Sequence, residues 1–212
     1  MLQIIETFKS VQGESTHAGK VCFFIRLAGC NLRCVYCDTS YAWDGGTARS
    51  VDDLVAEAVS AGCDTVEITG GEPLMQSETP LLAEKLLDAG KNVLIETNGS
   101  LDFSVISDRC CRIVDCKLPD SGMAEKNCYS AYSGLTGRDE VKFVVSSRKD
   151  FDFAIDVIRK YDLQNKTGNL LFSPVWDKVD PAQLAQWVIE CNLPVRMQIQ
   201  MHKGLWGDKR GV

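Results

Sequence analysis

The chain has 212 residues and a mass of 23.4 kDa, the size of one ordinary domain, long enough to bury roughly 70% of the surface its unfolded form exposes. With 45% hydrophobic and 25% charged residues it reads as a globular, soluble chain and not a disordered one. A net charge of −6 argues against nucleic acid as a partner, no apolar run is long enough to span a membrane, and Met1–Glu6 lacks the pattern of a signal peptide, so a cytoplasmic location is expected.

In chain order, an N-terminal strand is expected around Ile4–Phe8, followed by a Gly-containing loop and a buried strand over Val21–Leu27 that runs straight into Ala28-Gly29-Cys30. Ser50 caps a helix reaching about Ala61. A strand over Asp64–Thr69 ends in Gly70-Gly71-Glu72-Pro73, and a helix over Glu78–Ala89 leads to a strand over Asn92–Thr97. The second half continues with strands at Arg112–Cys116, Glu140–Val145, Asn169–Ser173 and Val195–Gln200, and with helices at Lys149–Tyr161 and Pro181–Glu190. No repeat or linker divides the sequence, which favours one domain over 1–212. Strands alternating with crossovers define an α/β fold, and about six parallel strands are too few for a closed eight-stranded barrel. The expectation is an open, partial TIM-like barrel whose site lies at the C-terminal strand ends, where the polar clusters fall.

Ten cysteines in a chain with no export signal are expected to be reduced thiols. Three of them, Cys30, Cys34 and Cys37, fall within one short loop after a strand. Three thiolates hold three irons of a four-iron cluster and leave the fourth open to a small molecule. The competing reading is a zinc site, which needs a fourth ligand near the loop, and none is present. Cys110, Cys111, Cys116 and Cys128 are too irregularly spaced for a second cluster and read as core or surface thiols, and His17 has no evident role.

The CxxxCxxC spacing, with the aromatic Tyr36 before the last cysteine, resembles the signature of the radical S-adenosylmethionine (SAM) superfamily. The resemblance implies a 4Fe–4S cluster on Cys30, Cys34 and Cys37, SAM chelated to its open iron, and cleavage of SAM by one electron. Gly70-Gly71-Glu72-Pro73 is similar to the superfamily's SAM-binding turn, where glycine backbone approaches SAM and Glu72 accepts from its ammonium group. Tyr36 belongs to the same cofactor-binding segment.

The flanks narrow the likeness. Val11-Gln12-Gly13-Glu14, Phe24–Cys34, Cys37-Asp38-Thr39, Thr69–Leu74, Glu96–Gly99, Asp115-Cys116-Lys117 and His202–Gly207 through Gly211-Val212 together resemble the 7-carboxy-7-deazaguanine synthase family. That family contracts the ring of 6-carboxy-5,6,7,8-tetrahydropterin with loss of ammonia, on the path to queuosine, using SAM as a recycled cofactor with Mg²⁺. The resemblance makes Thr39 the Mg²⁺ ligand, a hard oxygen donor suited to that ion. Arg26, on an apolar strand, needs an anionic partner, and the resemblance makes it the substrate carboxylate; an ion pair with a core acid is the alternative. Val11, Gln12, Gly13, Glu14 and Thr69 become contacts to the pterin, His202 a hydrogen-bonding or proton-donating group, and Val212 a carboxylate facing the pterin. Gly71, Asp115, Cys116 and Lys117, with Ser173, Pro174, Val175 and Trp176, become SAM-binding segments. Ser15 and Asp115-Cys116-Lys117 depart from the family's usual residues. An external electron donor such as flavodoxin or ferredoxin and a homodimer are further implications. The rivals are a glycyl-radical activase, which shares the cysteine spacing, and a non-catalytic iron–sulfur or zinc module.

Overall fold

In the computed structural model, which describes residues 1–212, nine strands form a single sheet in the order β3-β1-β2-β4-β5-β6-β7-β8-β9. Strand β1 (Leu2–Val11) runs antiparallel to β2 (Val21–Leu27) and to β3 (Thr47–Arg49). From β2 onward every pairing is parallel, through β4 (Thr65–Gly70), β5 (Asn92–Thr97), β6 (Cys111–Asp115), β7 (Glu140–Val145), β8 (Leu170–Pro174) and the short β9 (Arg196–Met197). β3 and β9 lie at opposite edges and do not pair, so the sheet is open as expected.

Four helices cover one face: α1 (Val51–Ser60), α2 (Thr79–Asp88), α3 (Arg148–Lys160) and α4 (Pro181–Glu190). Ser50 caps α1 as expected, its side chain accepting from the Asp53 N–H, and Ser147 does the same for α3 with Asp150. The apolar core lies between these helices and the sheet in two clusters. One gathers Ile25, Leu27, Val66, Ile68 and Ile95 with Leu54, Leu82 and Leu86. The other gathers Val114, Val141, Phe143 and Phe172 with Phe151, Ile158 and Leu184.

The opposite face is different in kind. Because side chains alternate along a strand, the residues between the core positions point into the open barrel, and they include Arg26, Glu67, Thr69, Glu96, Asp115 and Lys142, all lining one cavity. The uninterrupted apolar character expected of a two-sided buried strand therefore holds for only one face.

Two further features depart from what the sequence predicts. The last strand, expected over Val195–Gln200, is only Arg196–Met197, and the chain instead turns into helix α5 (Met201–Trp206). β3 was not foreseen, since three residues carry no periodic signal. The β5–β6 and β6–β7 crossovers, for which no helix was expected, contain short 3₁₀ turns.

At the start of β6 and β7 lies a buried ion pair. Arg112 donates from Nε to Asp139 at 2.9 Å and from Nη2 at 2.5 Å, and Asp139 also accepts from the Arg112 and Thr136 N–H groups. Asp139 is fully buried and Arg112 nearly so. Asp139→Ala leaves the guanidinium buried without its partner, and a loss of about 3–5 kcal/mol in unfolding free energy is expected by urea titration.

Candidate active site

The site begins with the loop after β2. Gly29 donates to the Ala42 carbonyl at 2.8 Å, and the Glu72 N–H donates to the Gly29 carbonyl at 2.7 Å, so the cysteine loop and the Gly70-Gly71-Glu72-Pro73 turn are zipped together. The glycines are required by that contact. A Cβ on Gly71 would lie 2.1 Å from the Gly29 carbonyl oxygen, and one on Gly70, at φ +146°, would lie 2.2 Å from the Leu27 oxygen. Close approach of protein backbone, more than approach of SAM, fixes both positions.

Glu72 also differs from expectation. It is fully buried and does not line the cavity. Its Oε1 accepts from the Leu74 N–H at 2.9 Å and the Thr97 hydroxyl at 2.8 Å, and its Oε2 accepts from the Asn98 N–H at 2.6 Å. Burial pushes its carboxyl above the usual range, against the pull of these donors. The side chain expected to meet the SAM ammonium is instead the tie between the turn and the end of β5.

Cys30, Cys34 and Cys37 all line a cavity of about 630 Å³ at the C-terminal strand ends, within the range of small-molecule sites. Burial pushes the Cys34 and Cys37 thiols up. The Cys30 sulfur receives the Leu32 N–H at 3.4 Å and the Asn98 amide at 3.7 Å. The tight metal-ligand trio in the molecule, with donor atoms within 4.8 Å of one another, lies elsewhere, at His17, Cys111 and Glu140. Three thiols from one loop, all facing one cavity with no fourth cysteine or histidine on its wall but His202, match the donor set of a 4Fe–4S group with one iron left open.

Around the cysteines, Tyr36 lines the cavity and its hydroxyl donates to the Val144 carbonyl at 3.2 Å, while burial drives its own titration upward. Lys117 and Asp115 line the cavity as an ion pair at 2.7 Å. Burial opposes the charge on Lys117, and Asp115 beside it outweighs that, holding the amine above its ordinary value. Gly71, Val175 and Trp176 also border the cavity, Trp176 as a 46% exposed ring at its rim. Cys116, Ser173 and Pro174 do not. Cys116 belongs to the core under the helices, and Ser173 is buried with its hydroxyl unpaired.

The expected substrate contacts converge from three directions. Gln12 donates to Glu67, Glu14 accepts from Lys142 at 2.7 Å, and the Gly13 carbonyl accepts the Met201 N–H at 3.0 Å. This last bond brings His202 against Gly13, where a Cβ would meet its Nδ1 at 2.6 Å. Val11, Thr69 and Val212 line the same cavity, and Thr69 donates to Glu96 at 3.0 Å. Thr39 lines it as well, its hydroxyl donating to Asp38 at 2.8 Å.

Arg26 has a protein partner. Its Nε donates to Glu6 at 2.8 Å, Glu6 also accepts from Tyr41 at 3.0 Å, and the guanidinium lies over the Phe8 and Tyr41 rings. The alternative ion pair is thus present, yet it occupies only Nε; Arg26 lines the cavity and its two terminal nitrogens make no hydrogen bond to the protein.

Three further cavity residues were not singled out from the sequence. Lys142, 5% exposed on β7, is gripped by Glu14 and Glu96. Glu67, 1% exposed on β4, accepts from Gln12. The available signal was a charge between apolar neighbours, as in Val66-Glu67-Ile68 and Val141-Lys142-Phe143. Burial, then Glu96 beside it, pushes the Glu67 carboxyl well above the usual range. For Glu96, burial works against the charged form, but Lys142 and Thr69 outweigh it and bring the carboxyl down to about 2. The 29% of its side chain left accessible opens into the cavity.

Comparison with known proteins accords with this geometry. The Radical SAM superfamily profile matches residues 24–188, so the chain is a radical SAM protein. It is 41% identical to the 7-carboxy-7-deazaguanine synthase of Koribacter versatilis, over 100% of both chains. It is 42% identical to that of Chlorobaculum tepidum, over 100% of this chain and 97% of the relative. The chain belongs to the 7-carboxy-7-deazaguanine synthase family. The fold is that of the crystal structure of QueE from Escherichia coli, at a TM-score of 0.78 and 24% identity over 95% of this chain and 94% of that one. The glycyl-radical activase reading is not favoured.

Two expectations follow. Glu72→Ala leaves three buried donors unpaired and should cost about 3 kcal/mol or more in unfolding free energy, with less iron retained per chain after reconstitution; an unchanged stability with weakened SAM binding would restore the ammonium contact. The Glu96 carboxyl lies below its unfolded value of 4.5, so its contribution is present above that pH and lost as pH falls toward about 2. Urea midpoints across that interval should fall less steeply in Glu96→Gln than in the wild type.

Proposed function

We propose that the chain converts 6-carboxy-5,6,7,8-tetrahydropterin to 7-carboxy-7-deazaguanine with release of ammonia, in the biosynthesis of queuosine and related deazapurines. The observation that carries this reading is the full-length identity to synthases of that name. The cavity supports it, because one wall offers acids to a donor-rich heterocycle and another offers an open guanidinium fork.

Cys30, Cys34 and Cys37 would hold the 4Fe–4S cluster, with SAM seated by the Gly71 backbone, Tyr36, the Asp115–Lys117 pair and the Val175-Trp176 rim. When bound, these groups supply one-electron cleavage of SAM and a carbon-centred oxidant that is afterwards recovered. The chain's own residues bind and orient the pterin. Glu14, Glu67 and the Gln12–Gly13 backbone accept from its amino and ring N–H groups, and the terminal nitrogens of Arg26 clasp its carboxylate in the planar, two-bond geometry that guanidinium favours. Thr69 and Glu96 flank the bound ring. His202, held against Gly13, and the carboxylate of Val212 approach the same pocket. Thr39, with Asp38 beside it, would offer the hard oxygen that Mg²⁺ prefers. Loss of ammonia requires a proton at the departing nitrogen, and His202, beside Gly13 in the same pocket, is the group that would donate it.

The reading places the protein in the cytoplasm as a homodimer served by a one-electron donor such as flavodoxin or ferredoxin. No helix is long and apolar enough to cross a membrane.

Anaerobic turnover of reconstituted protein with SAM, reductant, Mg²⁺ and the carboxypterin tests the proposal by following the deazapurine chromophore and ammonia. Both should appear, and both should vanish in Cys34→Ala. SAM cleavage with the pterin untouched would overturn the substrate. Arg26→Ala should raise KM for the pterin by about 100-fold, the scale of a charge-assisted contact worth roughly 1.5–3 kcal/mol, at unchanged iron content. Loss of the cluster in that variant would make Arg26 a structural residue only.

A further inference from the structure

At the other end of the barrel three side chains converge that the proposed reaction does not use. Cys111 opens β6 and Glu140 opens β7, both buried, and the β1–β2 loop brings His17 down upon them. A ring nitrogen of His17, the Cys111 Sγ and a Glu140 carboxylate oxygen all lie within 4.8 Å of one another. None of the three borders the catalytic cavity. The vicinal Cys110 points away, into the core beneath α1 and α2.

Glu140 is fully buried, and no lysine or arginine pairs with it. Its hydrogen bonds come from Thr16, through the N–H at 3.1 and 3.2 Å and the hydroxyl, and from the Cys111 thiol at 3.9 Å. Lys142 and Arg196 act on it only from beyond ion-pair distance, and a carboxylate removed from water with its charge offset only in part is costly to maintain. A cation in the space that it shares with Cys111 and His17 would offset the remainder.

We propose that His17, Cys111 and Glu140 form a binding site for one divalent transition-metal ion of the zinc type, separate from the iron–sulfur centre. The donors are one nitrogen, one sulfur and one oxygen, the set that zinc accepts in a four-coordinate site completed by water. A thiolate and a carboxylate balance the two positive charges. The thiolate and imidazole disfavour Mg²⁺ and Ca²⁺, which take oxygen. Bonds of about 2.0–2.3 Å place tetrahedral donors roughly 3.2–3.8 Å apart, so the trio has only to close slightly, and His17 stands on a loop that can follow. Lys20 Nζ lies 3.4 Å from His17 Nδ1, on an exposed side chain that swings into solvent as the ion enters. Thr16 remains the outer partner that orients the carboxylate. The ion would pin the loop that carries Gln12 and Glu14 to the two strands beneath the cavity.

The chain with Cys30→Ala, Cys34→Ala and Cys37→Ala cannot assemble the iron–sulfur centre and is titrated anaerobically with Co²⁺. Reconstituted wild-type holoenzyme is equilibrated with Zn²⁺ and analysed for zinc and iron together. The expected results are one cobalt per chain with thiolate-to-cobalt charge-transfer absorption, and one zinc per chain at undiminished iron. Adding Cys111→Ser should abolish the absorption, and His17→Gln should weaken cobalt binding by more than the roughly 100-fold that loss of an outer partner can cost. Zinc should also raise the Tm of the holoenzyme and leave that of Cys111→Ser unchanged. Cobalt bound without a thiolate band, or zinc bound only as iron is lost, overturns the site. Should Cys111→Ser fail to fold, His17→Gln decides alone, because its residue lies on a partly exposed loop; an unchanged cobalt affinity there overturns the site.

Discussion

Lys142 stands in the middle of β7 between Val141 and Phe143, which pack under the helices, and its ammonium group faces inward where water is scarce. A charge in that position must be paired. Glu14 supplies one anion from a loop distant in sequence, and Glu96 supplies the other from β5. β5 and β7 are not neighbours, since β6 lies between them. Their side chains meet across β6 only if the sheet is concave, so the ion pairs belong with the barrel's curvature. They also draw the β1–β2 loop beneath the sheet, where Gln12 meets Glu67 and Thr16 meets Glu140. The inner face is organised by charge pairing, while apolar packing is confined to the outer face. A cavity built this way keeps its polar groups fixed before a ligand arrives, which is the condition under which they act most strongly on one.

At the C-terminal strand ends the organising group is Glu72. By accepting from Leu74, Thr97 and Asn98 it joins the Gly-Gly turn to the end of β5, and the turn in turn holds the cysteine loop through Gly29. Asn98, placed by the same carboxylate, reaches the Cys30 sulfur and Asn31. The loop thus has a defined path through the protein's own hydrogen bonds. The donors at the two ends of the barrel differ in kind: three thiols of one loop line the cavity above, and a nitrogen, a sulfur and an oxygen from three elements gather below.

The sequence was most legible where a local pattern decides the structure. Val21–Leu27, Asn92–Thr97, Glu140–Val145 and Pro181–Glu190 have the bounds that periodicity and end signals predict, and the cysteine spacing located the loop. It was least legible where the partner is remote. Nothing near Glu72 announces that Thr97 and Asn98 will take its oxygens, and the Gly-Gly turn looks the same whether backbone or ligand fills the missing side chains. Ser173 and Pro174 were placed by their position in the strand order, but they are the last residues of β8 and lie off the cavity, which only Val175 and Trp176 beyond the strand end reach. Glu67 and Lys142 were visible as charges among apolar residues, yet only the register across the sheet shows that they face inward together. The edges were hardest: β3 and β9 are too short for periodicity, and α5 is fixed by the Met201 bond to Gly13.

Arg26 shows how one residue serves both fold and site. Its register partner across β1 and β2 is Glu6, so pairing through Nε follows from the strand alignment itself and relieves the cost of burying the guanidinium. That bond, with the Phe8 and Tyr41 rings on the same group, fixes the plane of the fork. The terminal nitrogens are left without a protein acceptor on a residue that lines the cavity. Glu6 alone cannot satisfy five donors, and the unmet donors lie in one plane, which is the arrangement a carboxylate fits best. The protein anion and a ligand carboxylate are therefore not rival partners for Arg26, because the first orients the group that would bind the second.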